Sequence, residues 1–199
     1  MSMCLAALVF LIVYAFWRFP ALRKTWYLPP RRGFVAMMYH HIGLVDDPTA
    51  EQFPFTIRPE MFERQLLFLK ANGYTLISLI ELETACKAGR SSVEKPVLLT
   101  FDDGHADNYF NLFPLLKKYN VPALIFLITD RVGTDGYLTW QQVQQMQQSG
   151  LVAFGSHSCS HRRLRSLPDE EIVQELTESK KVLEEKLGRT VTAFCYPYG

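Results

Sequence analysis

The sequence predicts an α/β protein built on a parallel sheet with helices outside it. Three observations point there. Apolar runs of strand length alternate with amphipathic runs of helix length from residue 34 onward. Val97–Phe101 is continuously apolar or neutral, as a strand buried on both faces is. Four separate strand-like runs end in chemically unusual residues: His40-His41, Asp102-Asp103-Gly104, His157, and Tyr196-Pro197-Tyr198-Gly199. Parallel α/β folds, closed or open, gather ligands at the carboxyl ends of their strands, so four such endings on one rim describe a site.

In chain order, Met1–Trp17 is almost wholly apolar and has no charged side chain, and Arg18, Arg23, Lys24, Arg31 and Arg32 follow it. Two readings are open for residues 1–24, an uncleaved membrane anchor or a signal segment; the lack of a small-x-small cleavage site after the run favours the anchor. The basic residues lie on the C-terminal side, which by the positive-inside tendency keeps the following domain in the cytoplasm. An enzyme of an exported polymer needs the opposite, a periplasmic or extracellular domain. Pro29, Pro30 and Gly33 make 25–33 a linker, and 34–199 is one domain, since 199 residues hold one sizeable core.

Gly33–Tyr39 is expected as a strand and Asp46–Pro54 as a loop. A helix over Pro59–Asn72 buries Phe62, Leu66 and Leu69 and stops at Gly73. Tyr74–Ser78 is a short strand and Leu79–Ala88 a short helix ended by Gly89. After the central strand, Ala106–Tyr119 is helical with a kink at Pro114, and Asn120 is its left-handed cap. Ala123–Ile128 is a buried strand. Thr139 caps a helix over Trp140–Ser149, and Leu151–Ser156 is a strand that delivers His157. Ser166 with Asp169 has the pattern of a capping box for a helix to Leu187, with Ile172, Leu176, Leu183 and Leu187 on one face. Val191–Tyr196 is the last strand.

A formal net charge of +1 points away from nucleic acid as a partner. The four cysteines (Cys4, Cys86, Cys159, Cys195) form no Cys-x-x-Cys pair and are expected as buried small hydrophobes.

Two adjacent carboxylates at a strand end repel each other and lose solvation unless a cation joins them. By itself Asp-Asp-Gly can equally be a turn capping the next helix. His157-Ser-Cys-Ser-His161 changes the balance: the i, i+4 spacing puts two imidazoles on one side of a helical turn, and two histidines with one carboxylate make a catalytic zinc set with a position left open. The competing reading is a pair of hydrogen-bonded surface histidines beside Arg162 and Arg163, which leaves the carboxylates unpartnered. Side chains alternate along a strand, so of Asp102 and Asp103 one can hold the metal and the other can take a proton from the attacking water. Backbone N–H groups of the Tyr-Pro-Tyr-Gly turn can stabilise an oxyanion, and His40 can protonate the leaving group.

Thr100-Phe101-Asp102-Asp103-Gly104, Ser156-His157-Ser158-Cys159-Ser160-His161 and Phe194-Cys195-Tyr196-Pro197-Tyr198-Gly199 resemble, in order, the first three motifs of the polysaccharide deacetylase (NodB-homology) family. The resemblance runs from roughly Val35 to Gly199. It implies a distorted (β/α) barrel and metal-dependent removal of acetyl groups from carbohydrate polymers. It makes Asp102 the general base and gives the metal to Asp103, His157 and His161, with Zn2+ expected and Co2+ or Ni2+ as alternatives. The Tyr198 amide becomes part of the oxyanion hole. Cys195 stands where many members carry an arginine that orients the base. Met38-Tyr39-His40-His41-Ile42 is similar to the opening motif of the circularly permuted poly-N-acetylglucosamine deacetylase branch, which gives the acid role to His40 ahead of His41. His105 is then a structural residue of the following turn. Family barrels continue past the Tyr-Pro-Tyr-Gly turn, so a barrel incomplete at its C-terminal side is expected.

The expected activity is hydrolysis of N-acetyl groups on an N-acetylglucosamine-containing polysaccharide. The alternatives are a non-catalytic glycan-binding or structural module and an O-acetyl esterase acting on xylan-like polymers. Tyr109, Trp140 and Tyr198 are candidates for stacking on sugar faces, with core packing the competing role for Trp140.

Overall fold

The structure, a computed structural model, describes residues 33–44 and 55–199. The apolar N-terminal segment, the linker up to Arg32 and the whole of the 46–54 loop lie outside the described residues. Among those described, no helix is long and apolar enough to cross a membrane.

The main sheet is all parallel. Strand β1 (Val35–Tyr39) lies beside β5 (Pro96–Phe101), followed by β6 (Ala123–Leu127) and β7 (Val152–Ser156). Strand β4 (Thr75–Leu76) pairs with the start of β5, at Pro96 and Val97, whereas β6 pairs with its end, at Thr100 and Phe101. Two short strands, β2 (His41–Ile42) and β3 (Thr56–Ile57), form a separate parallel pair. The α/β class is as the sequence predicts; among the described residues the strands form an open sheet and do not close into a ring.

Every residue of β5 is buried, which explains its unbroken apolar character. Its alternating side chains serve two cores. Val97, Leu99 and Phe101 join Ile125 and Leu127 in the large cluster beneath the helices, and Leu98 joins Ile77, Leu124 and Phe126 in a smaller one on the opposite face. Helix α1 (Pro59–Ala71) contributes Phe62, Leu66 and Leu69 to the large core, as its spacing predicts. Helix α2 (Leu79–Ala88) starts at a Ser78–Glu81 capping box and ends at left-handed Gly89. Helix α4 (Trp140–Gln148) starts at the Thr139 cap, completed by Gln142. Trp140 packs against the large core.

Several elements differ from expectation. The stretch after the central strand is not one α-helix: Asn108–Leu112 forms a wide π turn, and helix α3 (Phe113–Tyr119) begins only there, with Pro114 in its first turn. Proline has no N–H to donate and tolerates only this place in a helix. Asn120 is left-handed, as predicted. Helix α5 (Asp169–Leu187) has Pro168 at its N-cap with no side-chain cap, because Leu164–Ser166 is a short 3-10 turn and the Ser166 hydroxyl donates to the Arg163 carbonyl instead. The inward stripe of α5 is Glu175, Ser179, Leu183 and Leu187; Ile172 and Leu176 are only half-buried. The upper half of that stripe is polar because it meets a loop, not a core. Among the described residues, Val191–Tyr196 pairs with β7 through a single bridge, Ser156 to Phe194. Cys86 is exposed and Cys159 and Cys195 are half-buried, so none of these three is the buried hydrophobe expected; Cys4 lies outside the described residues.

Candidate active site

Strand β5 stops at Phe101, and the chain turns at once. Asp102 is buried and still tied to the sheet, its N–H donating to the Tyr39 carbonyl at 2.8 Å. Asp103 is left-handed (φ 70°), as is Gly104 (φ 76°). A turn, not the alternation of a strand, is therefore what sends the two carboxylates apart. Gly104 is required twice over. Its φ suits glycine, and a Cβ there would fall on the Leu127 side chain.

The second half of the site comes from the end of β7. His157 continues the strand and is buried, but Ser158 (φ 64°) and His161 (φ 61°) are both left-handed, so the 157–161 segment is a coiled-back turn and not the helical turn the spacing suggested. The imidazoles still meet, with ring centroids 4.8 Å apart. Glu175 of α5 grips this turn. Its carboxylate accepts from the backbone N–H of Cys159 at 2.8 Å and of Ser160 at 2.9 Å, from the Ser160 hydroxyl and from Arg162 Nε at 3.3 Å. Burial works to raise the Glu175 carboxyl, but the bonds from Ser160, Cys159 and Arg162 outweigh it and hold the group below the usual range. Beneath it, the Ser156 and Ser179 hydroxyls bond at 2.8 Å.

The two halves converge on one atom. Asp103 Oδ1 lies 3.4 Å from His157 Nε2 and 3.3 Å from His161 Nε2, and it is buried without a hydrogen-bond partner. His157 Nδ1 is 2.8 Å from the Cys195 carbonyl, which can only accept, so Nδ1 carries the proton and Nε2 presents a lone pair. Burial pushes the His157 pKa down, against the Cys195 carbonyl and Asp103, which work to raise it. Two acceptors thus face each other in a poorly solvated place, an arrangement that a cation between them would relieve. The spacing suits one: ligands about 2.0–2.2 Å from a tetrahedral zinc lie about 3.4 Å apart. Asp103, His157 and His161 therefore fit a divalent ion, as their donor atoms converge within 4.8 Å.

Asp102 stands beside this cluster. Burial raises its pKa, opposed by the charge of His40 and reinforced by that of Asp103. Its Oδ2 accepts from the Cys195 thiol at 3.6 Å, so a neutral donor occupies the place where the resemblance leads one to expect arginine; Oδ1 has no partner. His40 is half-buried against Phe55, with ring centroids 5.0 Å apart, and burial lowers its pKa against the pull of Asp103 and Asp102. Its segment is pinned from the π turn: Asn108 donates to the His40 carbonyl at 3.0 Å and Asn111 to the Ile42 carbonyl at 2.6 Å. Tyr198 is left-handed (φ 64°), with its ring 4.8 Å from that of His161 and the Arg163 guanidinium 4.7 Å from its centre. Tyr109 is turned elsewhere, its hydroxyl donating to Gln145.

Three residues have parts that their sequence context did not reveal. His105 is not merely a turn residue: its Nε2 donates to Asp103 Oδ2 at 3.2 Å, leaving Oδ1 as the free oxygen. His41 stacks on His105 at 3.6 Å and donates through Nδ1 to Asp107 at 2.7 Å, which ties it into this support. Burial works to raise Asp103, but the His105 bond and the charges of His105, His161 and His157 outweigh it. Glu175 is the third, found 14 residues from His161.

Comparison with known proteins agrees with the motifs. The family model described as polysaccharide deacetylase matches residues 89–199. YxkH of Bacillus subtilis (strain 168) is 32% identical over 163 residues, covering 82% of this chain and 56% of that protein. The poly-beta-1,6-N-acetyl-D-glucosamine N-deacetylase of Escherichia coli (strain K12) is 32% identical over 144 residues, covering 65% of this chain and 21% of that protein. The chain thus spans about half or less of the length of these relatives. Among solved structures, the Streptococcus pyogenes deacetylase PplD in complex with acetate superposes with a TM-score of 0.76 at 30% identity, covering 83% of this chain and 74% of that one. IcaB from Ammonifex degensii gives 0.74 at 30% identity, covering 84% and 75%. A family match over more than half of the chain, joined to aspartates and histidines that meet at one point, leads to a single conclusion: this chain belongs to the polysaccharide deacetylase family.

Proposed function

We propose that this protein hydrolyses N-acetyl groups on an N-acetylglucosamine polymer of the poly-β-1,6-linked kind, with Asp103, His157 and His161 holding a divalent ion, zinc by choice and cobalt or nickel as substitutes. The observation that carries the reading is the unpartnered Asp103 Oδ1 set between two imidazole nitrogens, one residue from a second buried carboxylate. The names of the relatives support the substrate class.

When bound, the ion supplies Lewis acidity towards the acetyl carbonyl and makes water easier to deprotonate near neutral pH. Asp102 takes the proton as the water oxygen attacks the acetyl carbon. The Tyr198 N–H donates to the oxygen that gains charge, and a donor of this kind contributes about 2.7–4 kcal/mol in the transition state. His40 gives a proton to the sugar nitrogen as the C–N bond breaks, leaving acetate and a free amine. The competent form has Asp102 ionised and His40 protonated; mutual attraction favours it, whereas burial favours the neutral pair. Cys195 holds Asp102 through its thiol.

Release of free amine from β-1,6-linked N-acetylglucosamine oligomers tests the proposal. Turnover should require added zinc, cobalt or nickel and should fall by at least the ~100-fold that general-base catalysis supplies in Asp102→Asn. Metal binding without turnover, indifferent to that change, supports a non-catalytic glycan-binding module instead, and faster release from acetylated xylan supports an O-acetyl esterase. Attachment through residues 1–24 rests on the hydropathy of that segment; a periplasmic or extracellular domain rests on the exported substrate instead, against the orientation that the basic residues after the apolar run favour. Protease accessibility in intact cells tests it.

A further inference from the structure

Beside the Asp103 cluster a second set of donors converges: Asp102, Cys195 and His157, each offering one atom within 4.8 Å of the others. Asp102 is only 4% exposed, and its Oδ1 has no hydrogen-bond partner. Cys195 Sγ sits 3.6 Å from Asp102 Oδ2. Bonds of about 2.3 Å to sulfur and 2.0–2.2 Å to oxygen at a tetrahedral angle span about 3.6 Å, so this pair already has the edge length of a metal shell. His157 offers one ring nitrogen to this set, and its Nδ1 is held by the Cys195 carbonyl in the metal-free protein.

We propose that Asp102, Cys195 and His157 form a second, inhibitory position for a thiophilic divalent ion such as cadmium or excess zinc. Soft thiolate ligands select such ions, whereas the Asp103 position offers only oxygen and nitrogen. Binding replaces the S–H bond of Cys195 with a sulfur–metal bond and releases the proton to solvent; nothing is oxidised or reduced. The two positions compete for His157, whose ring both sets use. An ion in the second position also occupies the carboxylate proposed as the base, so it blocks turnover by two routes at once. An arginine at position 195 could not form this site.

The test is cadmium titration of the metal-stripped full chain, followed through the ultraviolet thiolate-to-cadmium charge-transfer band. A Cys4→Ser, Cys86→Ser background removes a residue outside the described region and an exposed thiol. The band should form in this background and persist in His161→Ala, which removes a ligand of the first position only. It should vanish in Cys195→Ser, with cadmium affinity falling by at least the roughly 10–100-fold that even an outer-shell loss costs. Circular dichroism checks that each variant is folded. A band that survives Cys195→Ser, is absent from the folded background protein, or disappears in His161→Ala overturns the proposal. The spectroscopic readout needs no turnover, so its failure is separate from failure of the deacetylase reading.

Discussion

His105 and His41 do work that the candidate ligands cannot do for themselves. Asp103 has two oxygens, and the bond from His105 Nε2 to Oδ2 leaves Oδ1 facing the imidazoles. Asp107 holds His41, and His41 stacks on His105, so a small stack of rings fixes the carboxylate's rotation. Losing an outer-shell partner of this type costs about 10–100-fold in metal affinity. His105→Ala should show that loss in competition with a chelator, while His105→Gln, which keeps a donor, should recover part of it. The motif residues themselves were legible because each sits at a strand end and in a short local pattern. The part played by His105 was not, since it depends on the left-handed turn at Asp103 that folds the chain back by two residues.

At the scale of elements, helix α5 acts as a brace for the second histidine turn. Four donors converge on the buried Glu175 carboxylate, and the turn they come from carries left-handed Ser158 and His161. Glu175→Gln should destabilise the protein at pH 7 by about 1.5–3 kcal/mol, the worth of hydrogen bonds to a charged group, measured by urea denaturation. The sign of the pH effect follows from the lowered pKa. The stabilisation is fully present above the unfolded carboxyl value near ~4.3 and is lost as pH falls through the folded value. The gap between wild type and Glu175→Gln should therefore narrow at pH 3. The sequence foretold this helix, its length within a few residues and the lower half of its inward stripe, Leu183 and Leu187, but put Ile172 and Leu176 where Glu175 and Ser179 face inward. Apolar periodicity cannot register a face whose upper half is polar because it packs on a polar turn. The cap was missed for a related reason: Ser166 is spent on a 3-10 turn before the helix begins.

For the whole molecule, β5 is the shared wall between two cores, and the site hangs from its end. Gly104→Ala tests how closely the neighbouring strand approaches. Strained φ and overpacking against Leu127 should together lower stability by roughly 2–6 kcal/mol, read from the denaturation midpoint. The parallel architecture was legible from alternation alone, because buried strands and amphipathic helices have different periods. How far the sheet curls was not, because closure depends on pairings between strands remote in sequence, and periodicity within a strand carries no record of them.

Asp103 follows β5 and the two imidazoles follow β7, so the three candidate ligands come from chain segments more than 50 residues apart. Any ion they hold also cross-links those segments, and the unfolded chain lacks the site. At a free concentration 100 times its dissociation constant such an ion adds about 2.7 kcal/mol, or roughly 5–10 °C in melting temperature for a chain of this size. Dialysis against a strong chelator should remove that increment, and zinc should restore it without any substrate present. The melting point then becomes a gauge of metal supply, readable without any substrate.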